Sequence, residues 1–513
     1  MNIQTTQLLI VMATYLSLLL LFGIYQGRKV KNSSDYAIAG RKLPGWIAAL
    51  SERATGESSW ALLGLPGAAY ATGLMEIWTA IGCVLGVILA WIFLAWRLRD
   101  EAAKYKVDSF TDYIAQKHGE AGRWIRIVGS ASIVFFFFFY VGAQFLGGGK
   151  TLEDLFGINR VVGMLIVVVM VVPYTVYGGF LSVTYTDVIQ AIIMIITLII
   201  APIAGIIYIA KQPEGTIFAS SISEALANAG ESYSTMIGGA TLESKPILKF
   251  SLEQLFPNSL GLVKGLGIGI IIAGAFSWFF GYLGGQPQLS MRFMAISDSK
   301  QAKQGRNIGV AWTIIAYIGA LMIGWIGIAI FGPTGLSDPE TVMPQVLTTL
   351  FNPWIAGILI TGVLAAIIST ANSLLILSAT ELSENLIKPL GKNSSNTESS
   401  LKQSRIITGL LSLAALVIAY LANKFNNDSI YVLVGYVWAG IGCTFSVVII
   451  LTLFWKRYHG KAALITIISG MVFTIFWITS GFEAIITSRL LTFFVALTFA
   501  VASTYLIKSK KQL

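Results

Sequence analysis

The stretch "LSERATGESSW", Leu50 to Trp60, places charges and hydroxyls inside an otherwise apolar segment. Its polar side chains are those of Ser51, Glu52, Arg53, Thr55, Glu57, Ser58 and Ser59. Ionisable groups at bilayer depth are costly, and they mark sites or paths for ions and solutes. Arg53 and Glu57 are four residues apart, so a helix would let them pair, and such a pair fits a structural role as well as a binding role.

A second polar set lies in "GVLAAIISTANSLLILSATE", where hydroxyls recur on one helical face. Ala366, Ser369, Thr370 and Ser373 follow the spacing i, i+3, i+4 and i+7. Hydroxyl and carbonyl oxygens on one stripe are suitable ligands for a hard monovalent cation. Small polar residues also pack membrane helices together, and the stripe alone leaves that alternative open.

Asp187, in "SVTYTDVIQAIIMI", lies about one turn into an apolar segment, where a carboxylate is costly and usually functional. A solvated position at the membrane interface is the alternative. Tyr140 closes the run "FFFFFY", and Trp278 and Tyr282 flank a glycine-rich stretch. Most aromatic residues of membrane proteins belong to the core or the interface, so composition alone does not assign these three to a site.

The stretch "WFFGYLGGQPQLSMRF", which begins at Trp278, is a second interruption of an apolar segment. Gly281, Gly284 and Gly285 free the backbone and Pro287 removes a hydrogen-bond donor, so a continuous helix is not expected. Unwound backbone inside a bilayer is tolerated only where it faces protein or a water-filled cavity. Interruptions at matching positions of two structural repeats mark the binding site of a transporter. The two interruptions of this chain therefore predict such a site if they occupy matching positions, which the order of the spans below indicates.

The composition is that of a helical membrane protein. Of the 513 residues, 55% are hydrophobic and only 12% are charged, and the mean hydropathy is +0.75. A soluble domain has about 25% charged residues. Continuous apolar runs of about 20 residues predict helices and not a barrel. We therefore predict an all-α polytopic membrane protein in which one bundle takes up the whole chain.

Thirteen membrane spans are predicted, numbered here in chain order. They lie near residues 6–26, 45–70, 74–96, 124–147, 161–180, 183–210, 264–285, 309–331, 354–386, 405–422, 430–454, 463–480 and 486–507. Spans 2 and 7 carry the interruptions and are five spans apart, which gives two five-span units opposite topology and predicts a five-plus-five inverted-repeat core. The predicted parts of this single domain are 1–44 (span 1 and an inner loop), 45–210 (first repeat), 211–262 (an outer loop with short helices), 263–454 (second repeat) and 455–513 (spans 12 and 13).

Lysine and arginine are distributed unevenly between the two sides of the membrane. With the N-terminus outside, inner segments hold 26 of the 35 basic residues and outer segments hold 8. This bias predicts a multi-pass protein of the cell membrane with an outer N-terminus and a cytoplasmic C-terminus. The net charge of +10 is accordingly assigned to orientation and lipid headgroups, and no nucleic-acid partner is expected.

Four stretches resemble the sodium/solute symporter family, and within it the sodium/proline branch. They are "GRKLPGW…SWALLGLPGAAYATGLMEIWTAIG", "YGGFLSVTYTDVIQA", "WFFGYLGGQPQLSMRFMA" and "LAAIISTANSLL". The resemblance extends over nearly the full length. It implies that Na+ entry drives the uptake of a small organic solute by alternating access, with proline or a related amino acid as the expected solute. Family members also carry sugars, sialic acid, carboxylates and vitamins, and these remain alternatives.

The same resemblance implies a set of site residues. A sodium site would use the carbonyls of Ala54, Glu57 and Ala366 and the hydroxyls of Ser369 and Thr370. A second sodium site, present in some members, maps to Asp187, Ser369, Asn372 and Ser373. Solute contacts map to Tyr140, Trp278, Tyr282 and Pro287.

Two departures from the proline branch lie at the interruptions. Proline transporters read close to "ASDMSGW" where this chain reads "ATGESSW", so Gly56 stands where an acid is expected and Glu57 follows it. The second interruption carries an extra glycine, in the pair Gly284–Gly285. These departures bear on the identity of the solute more than on the fold or on sodium coupling.

Other functional classes have less support. The histidines, His118 and His459, fall in inner loops, and no nucleophile–base or metal-ligand spacing is present, so an enzyme is not expected. Cys83 and Cys443 lie in apolar runs, and neither a disulfide nor a metal other than Na+ is expected. No obligate protein partner is evident. A passive channel and a membrane sensor remain alternatives of a different class.

Overall fold

A computed structural model describes residues 3–213, 215–237, 269, 272–387, 397–425 and 429–507. Helices dominate these residues, and their only β feature is an isolated bridge between Leu43 and Ile296. The predicted all-α fold is confirmed. Span 9 lies at the centre, since 83% of its most apolar window is buried, against 28% for span 1.

The helices of the predicted spans have the following bounds. They are Ile3–Gly27 (span 1), Gly45–Ser59, Trp60–Gly64 and Leu65–Thr72 (span 2), Ile77–Leu89, Ala90–Leu94 and Ala95–Tyr105 (span 3), Gly122–Phe156 (span 4), Arg160–Lys211 (spans 5 and 6), Trp278–Tyr282 and Pro287–Ala295 (span 7), Ser299–Phe331 (span 8), Pro353–Thr380 and Glu381–Ile387 (span 9), Thr397–Lys424 (span 10), Ile430–Val437, Trp438–Cys443 and Thr444–Phe454 (span 11), Gly460–Thr479 (span 12) and Ser488–Leu506 (span 13). Shorter helices outside the spans are Ser33–Ile38, Ala39–Arg41, Gly73–Glu76, Phe110–His118, Gly119–Ala121, Ile222–Ala229, Glu231–Ser234, Pro339–Thr341, Val342–Leu350 and Phe482–Ala484.

Ten helical segments of the described chain are long and apolar enough to cross a membrane. Two of them, Gly45–Tyr105 and Arg160–Lys211, contain 61 and 52 residues. A helix of about 20 residues already spans the 30 Å apolar layer, so each of these two is long enough for two crossings. The count of thirteen crossings and the boundaries of the two repeats stay predictions.

Both predicted interruptions are present. The helix of span 2 is broken at Ser58, where φ is +55°. In span 7 the first helix ends at Tyr282 and the second begins at Pro287. Between them Gly284 has a φ of +83°, a conformation that glycine adopts without strain.

Part of the predicted outer loop 211–262 is described. Residues 215–237 contain the two short helices Ile222–Ala229 and Glu231–Ser234, as predicted, and residues 238–262 lie outside the described residues. The indole N–H of Trp78 donates to the carbonyl of Met236 at 2.9 Å. This segment therefore lies against the beginning of span 3.

Spans 7 and 11 approach each other backbone to backbone. A Cβ added to Gly285 would lie 1.9 Å from the carbonyl oxygen of Gly442, and one added to Gly281 would lie 2.3 Å from the ring of Trp438. The N–H of Gly285 donates to Ser446 at 3.1 Å. The glycines of the second interruption therefore serve close packing against span 11 as well as backbone freedom.

Gly285→Ala should destabilise the protein, because the added methyl group meets backbone that has no room to move. Overpacking of this kind costs about 1–3 kcal/mol. Thermal unfolding in detergent should show a lower midpoint for this variant than for Gly409→Ala. Gly409 lies in span 10 with nothing within 4 Å of an added Cβ. Equal midpoints for the two variants would contradict the packing account.

Candidate functional site

The interruption of span 2 is held by side chains of span 4 and by its own serine. Ser58 takes φ +55° and ψ −172°, a conformation that strains residues other than glycine. Its hydroxyl oxygen accepts the N–H of Trp60 at 3.0 Å and the hydroxyl of Tyr140 at 3.2 Å. The N–H of Ser59 donates to Gln144 at 3.0 Å. These bonds satisfy the backbone N–H groups of Ser59 and Trp60 next to the break, where the regular helical hydrogen bonds are interrupted.

Span 9 brings two hydroxyls to the part of span 2 that precedes the break. Ser369 Oγ lies 2.9 Å from the carbonyl oxygen of Ala54 and 3.0 Å from that of Ala366. Thr370 Oγ1 lies 2.9 Å from the carbonyl oxygen of Thr55. All of these groups are buried. Four of the five residues predicted for the first sodium site therefore lie close together.

Glu57, the fifth residue, is directed elsewhere. Its carbonyl accepts the N–H of Trp60, and its side chain pairs with Arg53 at 2.9 Å. In the described part of the chain no hydrogen bond joins Glu57 to Ser369 or Thr370. The Thr55 carbonyl, which the sequence did not point to, accepts the hydroxyl of Thr370 instead.

This cluster of neutral oxygens, here called the span 2–span 9 cluster, consists of the carbonyls of Ala54, Thr55 and Ala366 and the hydroxyls of Ser369 and Thr370. Neutral oxygen donors suit a hard monovalent cation, whereas Ca2+ sites usually add carboxylates. The donors come from two helices. A cation bound among them would therefore fasten span 2 to span 9.

The residues mapped to a second sodium site are not brought together as one set. Ser369 belongs to the span 2–span 9 cluster. Asn372 turns to span 5, where its amide bonds to the side chains of Tyr174 and Thr175. Within the described residues Asp187 has no hydrogen bond to Ser369 or Asn372.

A guanidinium joins the other two members of that set. Arg292 Nη2 lies 3.0 Å from Asp187 Oδ2 and also donates to Ser373. Ser51 donates to the same carboxylate oxygen at 2.6 Å. The sequence assigned Arg292 to an inner segment because it follows the predicted end of span 7, but it is 1% exposed in the second helix of that span. Without it the inner count falls from 26 to 25 and the bias remains.

The charged side chains of span 2 pair with one another inside the protein. Arg53 pairs with Glu57, as the spacing predicted, and with both oxygens of Glu52. Trp91 of span 3 donates to Glu52 at 3.1 Å, and Arg53 donates to Thr313 of span 8 at 3.1 Å. A buried guanidinium between two carboxylates needs such additional partners to offset the loss of water. These side chains join spans 2, 3 and 8.

Three residues predicted to contact the solute surround Trp438. The ring centre of Trp438 lies 6.4 Å from that of Tyr140, 5.7 Å from that of Trp278 and 4.8 Å from that of Tyr282. The ring of Trp60 lies tilted beside that of Trp278, with 4.3 Å between the ring centres. The sequence reasoning missed Trp438, although the glycine-rich "VWAGIGC" around it resembles the other interruptions and forms a π-helical segment.

Pro287, the fourth predicted solute residue, begins the second helix of span 7 and is buried. The missing N–H at this position is one that a helix start leaves unpaired in any case. Ser290 donates to the carbonyl of Gly284 at 2.8 Å, which fixes the turn before the proline. Pro287 therefore shapes the backbone of the interruption.

A model of the sodium:solute symporter family matches residues 36–470. The chain belongs to this family. The high-affinity proline transporter PutP of Bacillus subtilis (strain 168) is 34% identical over 467 residues, which cover 90% of each chain. The osmoregulated proline transporter OpuE of the same strain is 33% identical over 93% of this chain and 90% of its own. A sodium/proline symporter of Staphylococcus aureus is 32% identical over 92% and 86%.

Solved structures show the same fold. A Na+-coupled sialic acid symporter, solved in a substrate-bound outward-open state, superposes with a TM-score of 0.77 at 19% identity over 99% of both chains. The nucleobase-cation-symport transporter Mhp1, in a closed conformation, gives 0.53 at 12% identity over 91% of this chain and 92% of its own. The predicted transporter fold of the sodium:solute symporter family is thereby confirmed.

A charged junction, formed by Lys150, Asp338 and Glu340, lines a cleft of this symporter fold. Lys150 Nζ lies 2.9 Å from Asp338 and 2.8 Å from Glu340. The Glu340 carboxylate also accepts the N–H groups of Ile430 and Tyr431 at 3.1 and 2.9 Å, where the helix of span 11 begins. A carboxylate at a helix N-terminus is stabilised by the free N–H groups and the helix dipole. Span 4, the segment after span 8 and span 11 are thus tied together.

Glu340→Gln should loosen this junction, because an amide gives weaker bonds to Lys150 and to the helix N-terminus. Ala68 lines the adjacent cleft of about 440 Å³. A cysteine placed at Ala68 should react several-fold faster with a membrane-impermeant maleimide when Glu340 is also changed. Asp154→Asn is the matched control, since Asp154 pairs only with Gln345 among the hydrogen bonds of the described residues. An unchanged rate of maleimide reaction in the Glu340→Gln variant would show that the junction does not limit access to this cleft.

The two roles of Ser58 can be separated by substitution. Ser58→Gly removes the strain of a positive φ, about 1–3 kcal/mol, while it loses the hydroxyl. Ser58→Ala loses the hydroxyl and keeps the strain. The alanine variant should therefore unfold at a lower temperature than the glycine variant in detergent. An alanine variant that is as stable as the glycine variant would contradict the strained geometry.

Proposed function

We propose that this chain takes up proline, or a closely related amino acid, together with Na+ by alternating access. One observation carries the proposal. The broken helix of span 2 presents carbonyls to the buried hydroxyls of span 9, in a chain whose similar relatives are named proline transporters. A Na+ ion bound there would contact both spans and would therefore stabilise one arrangement of span 2 relative to span 9.

The ion is proposed to bind the span 2–span 9 cluster. Ala54, Ala366, Ser369 and Thr370 supply ligands as the family resemblance implies, and the Thr55 carbonyl adds one. The Glu57 carbonyl joins only if it releases the N–H of Trp60. In the absence of a cation the two hydroxyls donate to the carbonyls, so Na+ binding replaces two hydrogen bonds with shared coordination.

The solute is proposed to bind between the two interruptions. Tyr140, Trp278 and Tyr282, joined by Trp438, offer apolar faces for a pyrrolidine ring. Unwound backbone beside Ser58 and before Pro287 offers N–H and carbonyl groups for the carboxylate and the ammonium. The rings contact one another closely, so solute entry requires them to separate.

The coupling follows from the shared helix. Na+ and solute both contact span 2, so each favours the arrangement that the other binds, which is the condition for reciprocal coupling. One Na+ that crosses about 100 mV supplies roughly 2.3 kcal/mol, which corresponds to about a fifty-fold solute gradient. The proposed orientation in the cell membrane, with an outer N-terminus, follows from the charge bias.

Uptake of radiolabelled proline into vesicles tests the proposal. A Na+ gradient should drive proline above the bath concentration, which a passive channel cannot do. A parallel screen of other amino acids, sugars, sialic acid and carboxylates, each with and without Na+, identifies the solute if it is not proline. Failure of every solute to accumulate with Na+ would reject the proposed function.

Ser369→Ala combined with Thr370→Ala should raise the Na+ concentration for half-maximal uptake at least about tenfold, a factor that corresponds to about 1.4 kcal/mol. Both hydroxyls leave the proposed ion site. Thr361→Ala is the control, because this hydroxyl of the same helix bonds to its own turn at Ile358. Normal Na+ dependence in the double variant would place the ion elsewhere.

A further inference from the structure

A buried guanidinium contacts three oxygen-bearing side chains near the proposed ion site, and a fourth side chain contacts two of those three. Arg292 Nη2 contacts Asp187 at 3.0 Å and also Ser373, and Arg292 Nε contacts Ser51 at 2.9 Å. Thr55 contacts Ser373 at 3.0 Å and Asp187 at 3.4 Å. All five side chains are at most 3% exposed.

These oxygens form a donor set that a hard cation would accept. A carboxylate and three hydroxyls from spans 2, 6 and 9 surround one point, and such ligands suit Na+. The guanidinium already supplies a positive charge at that point. An additional Na+ there would lie beside a fixed cation in a medium of low dielectric constant, where like charges repel strongly.

Arg292 is held in this position by its own helix. Its Nη1 donates to the carbonyl of Gln288 at 2.7 Å, and the ring of Phe180 lies 5.2 Å from its guanidinium carbon. The side chain belongs to Pro287–Ala295, the helix that follows the interruption of span 7. The positive charge is thus fixed to one of the two broken spans.

We propose that Arg292 occupies the position of a second cation and thereby limits this symporter to one Na+ per solute. Asp187 and Ser373, which the family resemblance mapped to a second sodium site, bind the guanidinium instead. Asp187 Oδ1 has no hydrogen-bond partner in the described part of the chain, so the carboxylate has spare capacity for an ion once the guanidinium is removed. This inference rests on the proposed Na+-coupled function.

Equilibrium binding of radioactive Na+ to purified protein counts the ions without reference to any solute. The wild-type protein should bind one Na+ per chain, and Arg292→Gln should bind two. Arg292→Lys keeps the charge and should bind one. Two ions on the wild-type protein, or one on a folded Arg292→Gln variant, would overturn the proposal.

A second measurement avoids any change to the guanidinium. Ser373→Ala should leave the Na+ affinity within about twofold of the wild type, whereas Ser369→Ala should weaken it about tenfold. Equal weakening by the two variants would mean that Na+ binds beside Ser373, and it would overturn the proposal even if Arg292→Gln does not fold.

The proposed function and this inference fail in different ways. If no solute accumulates with Na+ while one ion binds per chain, the transport proposal is wrong and the ion count stands. If proline accumulates with Na+ and paired fluxes give two Na+ per proline in the wild-type protein, the transport proposal stands and the role of Arg292 is wrong.

Discussion

A backbone N–H or carbonyl without a partner is costly in an apolar medium, and this constraint governs the centre of the protein. A broken helix leaves several such groups free at once. Side chains of the broken spans themselves and of neighbouring spans supply the missing partners. Ser58 and Gln144 complete the break in span 2, and Ser446 and Ser290 complete the break in span 7. The same arrangement leaves carbonyls of span 2 within reach of the hydroxyls of span 9.

The buried charges follow a related rule. Five ionisable side chains lie near the breaks, and four of them, Glu52, Arg53, Asp187 and Arg292, have hydrogen-bond partners on other helices. Glu52 and Arg53 link span 2 to spans 3 and 8, whereas Arg292 links span 7 to spans 2, 6 and 9. Because removal of one partner leaves a buried charge unpaired, these contacts specify which helices lie side by side. They also explain why an apolar span carries ionisable residues although the ion ligands are neutral.

The sequence predicted the features that depend on local chemistry. Glycine and proline marked both interruptions, and the 3–4 spacing placed Ser369 and Thr370 on one face and Arg53 next to Glu57. It failed where partners are distant in the chain. Arg292 was counted as a loop residue because only the tertiary contact with Asp187, 105 residues away, reveals that it is buried. Asn372 shares a helix with Ser369, but its position on the helix turns it to Tyr174. Trp438 was missed because its role depends on contacts with two other spans, 4 and 7.

The corner between spans 5 and 6 is made by Gly179 alone, at φ +56°, without an intervening loop. A Cβ added to Gly179 would lie 2.4 Å from the ring of Tyr36, so the corner has no room for a larger residue. Tyr174 and Thr175 of span 5 form hydrogen bonds with Asn372, and Asp187 of span 6 pairs with Arg292. Because no loop separates the two helices, a tilt of one helix would displace the other. The contacts with Asn372 and Asp187 would then shift together.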